Sequence, residues 1–156
     1  MKKQSLITPI LKEHTFLEGL KPNYIELLSE CASNARFEAG ELIFRQGEAA
    51  NRFYLITYGK VAIEITPPTG QSIVIKTLTD NDVLGWSWLL PSYQWHFDAR
   101  ALQLTRTIVL DARCLRGKCD RDPELGYRLM ERFSFMILET LQSTQLQLLD
   151  LYGRPT

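Results

Sequence analysis

Five glycine-containing turns divide the middle of the 156-residue chain into short segments, and this spacing strongly constrains the fold. The turns are centred on Gly40, Gly47, Gly59, Gly70 and Gly85. The segments between them are rich in β-branched and aromatic residues and are too short for ordinary helices. Short strands joined by glycine turns are typical of an antiparallel roll or barrel, which we predict for residues 35–111. The predicted strands are Leu42–Phe44, Phe53–Thr66 with a break at Gly59, Ser72–Leu78, Val83–Leu84, Phe97–Leu104 and Thr107–Asp111.

Helical patterns flank the roll on both sides. Residues 6–34 are predicted to form a helical lid, with a break at Gly19 and a second helix that has Pro22 in its first turn. Residues 112–152 are predicted to be helical as well, and the pair Asp122–Pro123 is typical of a helix cap and first position. We therefore predict a single, mainly β domain over residues 1–156 with flanking helices.

One apolar stripe runs along the last helix at steps of three and four residues. Further apolar residues lie beside it, so the helix needs two surfaces to bury against. We expect the roll to supply one surface and the same helix of a second subunit to supply the other; burial within one chain is the alternative. The residues expected at this dimer contact are Met130, Phe133, Ile137, Leu141, Thr144 and Leu148.

Charge and cysteine content limit the function classes. Lys plus Arg and Asp plus Glu number 18 each, so the composition gives no basic field that would attract nucleic acid. Only five residues follow Leu151, so no helix-turn-helix is expected and direct DNA binding is not predicted. Cys31, Cys114 and Cys119 are odd in number and irregularly spaced, which favours free thiols in a reducing compartment. We expect a cytoplasmic protein that is not bound to a membrane.

All three tryptophans lie between Gly85 and Phe97, at residues 86, 88 and 95. Because large aromatic side chains are rarely left exposed, this stretch is expected to form a pocket wall or a buried plug. His96, Asp98 and Arg100 alternate with Trp95, Phe97 and Ala99, so the two sets point to opposite faces of a strand. The alternation does not decide which set faces the interior.

Several stretches together resemble one known module. They are HTFLEGL (14–20) with IELL (25–28), FEAGELIFRQGE (37–48), FYLITYGKV (53–61), DVLG (82–85) and the strands at 101–111. In this order they resemble the cyclic-nucleotide-binding domain, the sensor module of catabolite-activator-type (Crp–Fnr) regulators and of protein kinase A regulatory subunits. The resemblance implies a β-roll (a jelly roll) with a phosphate cradle at residues 84–96 and a long C-terminal helix.

The cradle departs from the family pattern at its charged positions. The resemblance implies a glutamate after the cradle glycine and an arginine nine or ten residues later, because a partly buried phosphate favours a helix start and a guanidinium. Trp86 stands at the glutamate position, and Trp95 or His96 at the arginine position. The resemblance also implies a short helix after the cradle glycine, and Ser87 is expected to cap that helix or to contact a phosphate. The candidate ligand-binding residues are Gly85, Trp86, Ser87, Trp88, Leu89, Trp95, His96 and Arg100.

We therefore expect a regulatory sensor of a small ligand, which could be a cyclic nucleotide, with an altered cradle and a homodimer contact through its last helix. It would signal to an effector protein. The alternative is a ligand-free roll that is plugged by tryptophans and acts as an interaction scaffold. A metal enzyme of the cupin type is not favoured, because such enzymes cluster histidines and carboxylates in the barrel. The two histidines here, His14 and His96, lie far apart in the sequence, so we expect no enzyme activity, metal or cofactor.

Overall fold

The N-terminal segment is a helical lid, as predicted, but it ends earlier than expected. The computed structural model describes residues 2–153; it begins with α1 (Lys2–Glu13), a 3₁₀ turn (Thr15–Leu17) and α2 (Pro22–Ser29). Gly19 separates the last two with a φ of +82°. The prediction of helix through residue 34 is wrong, because Ala32 already begins a strand that pairs along its whole length with the last strand. Tertiary pairing therefore overrides the local helical pattern.

The middle of the chain is the antiparallel β-roll that the turns predict. Its strands are β1 (Ala32–Phe37), β2 (Leu42–Phe44), β3 (Arg52–Tyr58), β4 (Lys60–Ile65), β5 (Ile73–Thr79), β6 (Val83–Leu84), β7 (Asp98–Ala101) and β8 (Thr105–Asp111). They form two four-stranded sheets, with the orders β1-β8-β3-β6 and β2-β7-β4-β5. The predicted break at Gly59 lies between β3 and β4, where φ is +132° and a Cβ would come within 2.6 Å of the Thr105 Cα. Only glycine fits this close approach between strands.

The strands separate two apolar cores. Successive residues of β3 point to opposite sides of the first sheet, so Phe53 packs on the helices while Tyr54 packs inside the roll. The core inside the roll contains Phe44, Ala50, Tyr54, Ile56, Val61, Ile63, Leu78, Leu84, Trp95, Phe97 and Ala99. The second core lies between the first sheet and the helices and includes Trp88 and Phe133. The cradle lies where these two cores approach each other.

Two helices follow the roll, α3 (Ala112–Arg121) and α4 (Pro123–Gly153). The predicted start of the long helix is confirmed, because the Asp122 carboxylate accepts a hydrogen bond from the Leu125 N–H at 3.3 Å. Leu125, Leu129 and Phe133 of α4 are buried, whereas every described residue after 140 is exposed. Among residues 2–153, no helix combines the length and the hydropathy needed to cross a membrane.

The cysteines differ from the expectation of three free thiols. Cys31, after α2, and Cys114, in the first turn of α3, form a disulfide with their Cα atoms 5.6 Å apart. Cys119 is the free cysteine of the described residues and is partly buried. The spacing in the sequence could not indicate the pair, because the two cysteines are 83 positions apart and only the fold brings them together.

Candidate functional site

The cradle begins at a tight turn after β6. Gly85 has a φ of +102°, a conformation that costs strain for any residue with a Cβ. A Cβ at this position would also lie 2.6 Å from Cζ3 and 2.7 Å from Cη2 of Trp95. The absence of a side chain at Gly85 thus leaves room for the indole of Trp95.

Trp95 fills the inside of the roll at this turn. Its side chain is 3% exposed and stacks on Phe44, with ring centroids 3.7 Å apart and an interplanar angle of 7°. The Trp95 N–H donates to the Glu48 carbonyl oxygen at 3.0 Å, and the Trp95 carbonyl accepts from the Gly47 N–H at 2.8 Å. The indole is therefore held by the last residue of β2, and the Trp95 backbone is held by the turn between β2 and β3.

Strand pairing determines which side chains of β7 point into the roll, a question that the sequence alone did not decide. Ala99 of β7 lies opposite Phe44 of β2 and Ile63 of β4, and all three side chains are in the interior core. By alternation Phe97 and Trp95 share that side, and both are buried. The inside of the cradle is consequently apolar and aromatic.

The opposite set, His96, Asp98 and Arg100, lies outside the roll. His96 is exposed. Asp98 accepts a hydrogen bond from the Gln46 N–H at 2.7 Å. Neither residue reaches the space in which Trp95 lies, so an anion inside the roll would not meet them.

Arg100 is held by protein groups on the outer face of the second sheet. Its Nε donates to Glu64 Oε1 at 3.2 Å, and its Nη1 donates to the Gly40 carbonyl oxygen at 2.9 Å. The Glu64 side chain is only 8% exposed, so its carboxylate depends on this partner. The arrangement explains Arg100 as the counter-charge of a buried carboxylate.

Trp86 stands between the two cores. It is partly buried, meets Phe97 edge-on at a centroid distance of 6.0 Å and packs against both apolar clusters. An indole has no carboxylate with which to accept from a ribose hydroxyl. Trp86 therefore continues the aromatic lining that Trp95 and Phe97 form.

The predicted short helix after the glycine is a 3₁₀ turn, Ser87–Leu89, and it faces the helices. Trp88 stacks on Phe53 at 5.0 Å and meets Phe133 of α4 edge-on at 5.4 Å. Leu89 packs against the same cluster. Of the candidate ligand residues, only Gly85, Trp86 and Trp95 meet at the inside of the cradle.

Two polar atoms of this turn are buried without a hydrogen-bond partner among the described residues, Ser87 Oγ and Trp88 Nε1. The prediction that Ser87 caps the short helix is therefore wrong; Ser87 is the first residue of the turn rather than the residue before it. Buried donors without partners are rare in folded proteins and are unfavourable.

Two residues at the cradle, Phe44 and Arg116, were not singled out from the sequence. Phe44 provides the surface on which Trp95 stacks. Arg116 of α3 donates to the Trp88 carbonyl oxygen at 2.7 Å and lies 4.8 Å from the ring centroid of Tyr93. Phe44 lies in a recognisable strand, but no sequence signal indicated Arg116, because it meets Trp88 and Tyr93 only through tertiary packing.

His14 joins the lid to the roll. Its Nδ1 accepts a hydrogen bond from the Phe16 N–H at 3.2 Å, so the proton must be on Nε2, which lies 3.1 Å from the Ile56 carbonyl oxygen and donates to it. Burial lowers the pKa of His14 below its ordinary value of 6.5, although the backbone hydrogen bonds and Asp82 oppose this effect. His14 is therefore neutral near pH 7 and structural in role.

Outside the roll, an open groove of about 1020 Å³ runs along α4. Phe16 and Asp82 line one side, and Met130 and Phe135 line the other. Phe133, which the sequence placed in the dimer stripe, is fully buried in the chain's own core. The prediction that Phe133 lies at a dimer contact is therefore wrong, because Phe133 contacts Phe16 and Trp88 of the same chain.

Comparison with known sequences identifies related proteins. The sequence model of the cyclic nucleotide-binding domain matches residues 35–122, more than half of the chain. The CRP-like cAMP-activated global transcriptional regulator of Mycobacterium tuberculosis is 25% identical over 142 residues, which are 91% of this chain and 62% of that protein. The cAMP-dependent protein kinase regulatory subunit of Dictyostelium discoideum is 26% identical over 137 residues, 86% of this chain and 42% of that protein. The chain thus spans less than two thirds of these relatives.

Solved structures show the same fold. The regulatory domain of Toxoplasma gondii PKA, crystallised with cAMP, superimposes with a TM-score of 0.74 at 19% identity, covering 88% of this chain and 51% of that chain. The sensor domain of the transcriptional regulator DNR from Pseudomonas aeruginosa gives a TM-score of 0.72 at 19% identity, covering 91% of this chain and 95% of that chain. Identities this low establish a likeness of fold alone.

Proposed function

The chain belongs to the cyclic nucleotide-binding domain family, and on that premise we propose that it is a regulatory, non-catalytic module whose cradle is filled by its own Trp95. The single observation that supports this proposal is the burial of the Trp95 indole, which stacks on Phe44 and lies against Gly85. The module would act through contacts with other protein chains, as an interaction scaffold in the cytoplasm. A cyclic nucleotide would not be held by the contacts that the family resemblance implies.

The energetic argument concerns the removal of Trp95 from the interior. Truncating a buried tryptophan costs about 3–5 kcal/mol, and a ligand that displaces the indole has to meet a cost of that order. Since about 1.4 kcal/mol is a factor of ten in affinity, displacement weakens binding by roughly two to four orders of magnitude. Arg100 does not offset this loss, because its guanidinium points outward to Glu64.

Titration with cyclic AMP and cyclic GMP, followed by calorimetry and by thermal shift, tests the proposal. We expect no saturable binding to the wild-type chain in the micromolar range. The variant Trp86→Glu/Trp95→Arg restores the two charged groups and should gain affinity for cyclic AMP. Trp95→Leu is the matched control, because it opens space without adding charge. Tight binding of either nucleotide by the wild-type chain contradicts the proposal.

A second candidate is the sensing of an uncharged ligand, and it is favoured by one observation. Ser87 Oγ and Trp88 Nε1 are buried without protein partners among the described residues. A small molecule with a hydrogen-bond acceptor would satisfy one or both groups. Native mass spectrometry of the protein as isolated distinguishes the two candidates, since a bound organic mass supports sensing and the bare chain mass supports the filled cradle.

The second half of α4 supports dimerisation as part of the proposal. Residues 141–153 are exposed, and Asp150 is the single charged residue among these thirteen. A helical segment of this length is marginal alone in water, and it gains stability when an apolar face is covered. We propose that α4 of a second copy covers Leu141, Leu148 and their neighbours.

Light scattering coupled to gel filtration tests the dimer. Leu141→Lys/Leu148→Lys should convert a dimer to a monomer, because the two charges would be buried at the helix contact. Ser143→Lys, which lies away from the stripe on the same helix, should leave the dimer intact. A wild-type monomer at all concentrations tested contradicts dimerisation and leaves the cradle argument unaffected.

A further inference from the structure

The disulfide joins the lid end of the roll to the helix that holds the cradle. Cys31 lies between α2 and β1, and Cys114 lies three residues after Asp111 in the first turn of α3. The same first half of α3 carries Arg116, whose guanidinium binds the Trp88 carbonyl oxygen and lies over Tyr93. The disulfide therefore holds α3 at one side, and Arg116 of α3 contacts the cradle loop at the other.

We propose that the Cys31–Cys114 disulfide is a redox-sensitive latch that fixes α3 and, through Arg116, the cradle loop. Disulfides in reducing compartments are mostly transient and redox-sensing, whereas those of secreted proteins are permanent. The family module binds its ligand at the cradle, so a latch that acts from α3 would give this chain an input that needs no ligand. This inference rests on the proposed cytoplasmic location and does not depend on whether the cradle is filled.

Thiol–disulfide exchange with a low-molecular-weight thiol opens the latch in two steps. Cys114 is partly exposed and Cys31 is 7% exposed, so the incoming thiolate attacks the Cys114 sulfur. A mixed disulfide forms on Cys114, and Cys31 leaves as a thiolate that takes up a proton. A second thiolate attacks the small-molecule sulfur and expels Cys114. The products are two protein thiols and one oxidised small-molecule disulfide, so two electrons pass to the protein.

The surroundings of Cys114 favour a reversible exchange. Once expelled, its sulfur lies in the first turn of a ten-residue helix, where the helix dipole stabilises a thiolate. The start of α3 does not depend on the disulfide, because the Asp111 carboxylate accepts from the Cys114 N–H at 2.8 Å. Ala112 and Leu115 are fully buried and keep the helix docked. Opening the bond should therefore loosen α3 without unfolding the chain.

Equilibration of the full chain with mixtures of reduced and oxidised glutathione, followed by alkylation and peptide mass spectrometry, tests the latch. Both forms of the Cys31–Cys114 pair should be populated within the range of glutathione ratios that the mixtures span. Cys119→Ser should leave the titration unchanged. A pair that stays oxidised in excess reduced glutathione overturns the proposal, and so does a pair that never forms a disulfide in excess oxidised glutathione.

Hydrogen exchange of the oxidised and reduced chains tests the connection to the cradle. Reduction should increase amide exchange in residues 86–95 by several-fold, and Cys114→Ser should give the reduced pattern under all conditions. Arg116→Ala should raise exchange in the loop and abolish its dependence on reduction, because the connecting hydrogen bond is gone. Equal exchange in the two redox states of the wild-type chain overturns the proposal.

Discussion

Gly85→Ala should destabilise the fold much more than an alanine at another left-handed glycine. Both Gly85 and Gly40 have positive φ angles, +102° and +88°, so each substitution costs about 1–2 kcal/mol in backbone conformation. At Gly40 the new Cβ meets nothing within 4 Å. At Gly85 it would lie 2.6 Å from the Trp95 ring, which adds about 1–3 kcal/mol of overpacking.

The total expected for Gly85→Ala is therefore about 2–5 kcal/mol, a large part of the ~5–15 kcal/mol that stabilises a typical domain. Urea unfolding followed by far-ultraviolet circular dichroism measures both variants without relying on tryptophan fluorescence. Repeating Gly85→Ala in a Trp95→Phe background removes the ring atoms that the Cβ would meet. The added cost should then fall to that of Gly40→Ala, and the two changes should be non-additive.

Two outcomes would refute this reasoning. Equal losses for Gly85→Ala and Gly40→Ala would mean that no side chain occupies the space beside Gly85. Strict additivity of Gly85→Ala and Trp95→Phe would mean that something other than the indole lies there. Either result would reopen the cradle as a space for a ligand, and the proposal of a filled roll would lose its central observation.

Two further predictions concern the lid and the helix-side core. Burial lowers the pKa of His14 below 6.5, so the unfolded chain binds the proton more readily than the folded chain. The free energy of unfolding should therefore be constant above pH 6.5. It should fall as the pH drops from 6.5 towards the lower pKa of the folded state. In urea titrations at several pH values, His14→Gln should remove this pH dependence of the unfolding free energy, and His96→Gln should keep it. An equal pH dependence in both variants contradicts the attribution to His14. Phe133→Ala should cost about 3–5 kcal/mol of unfolding free energy, whereas Phe135→Ala, 63% exposed, should change it by about 0.5 kcal/mol or less. Similar losses in both would place Phe133 at the surface.

The cradle loop lies between the two cores and contributes residues to both. Trp95 and Phe97 belong to the core inside the roll, whereas Trp88 belongs to the core under α4. Only six residues of the loop separate Trp88 from Trp95. Trp86 packs against both cores, so the cradle loop contacts each of them.

The sequence by itself determined the order and kind of most elements, although it assigned the start of β1 to a helix. The glycine turns at residues 40, 47 and 59 have positive φ angles, as tight turns require, and the Asp122–Pro123 pair starts the last helix. Such signals are local, because a turn or a cap depends on a few neighbouring residues and their allowed backbone conformations. The family resemblance followed from the same local signals taken in order.

Only the tertiary structure decided which residues form the site. A strand's alternation has two possible phases, and pairing of β7 with β2 and β4 placed Trp95 inside and Arg100 outside. The disulfide and the Arg116 contact join residues that are 83 and 28 positions apart, which no local pattern encodes. Phe133 was expected at a dimer contact, but the helix packs that face on its own roll. Local chemistry specifies turns and helix ends, whereas the packing of distant segments determines which side chains meet.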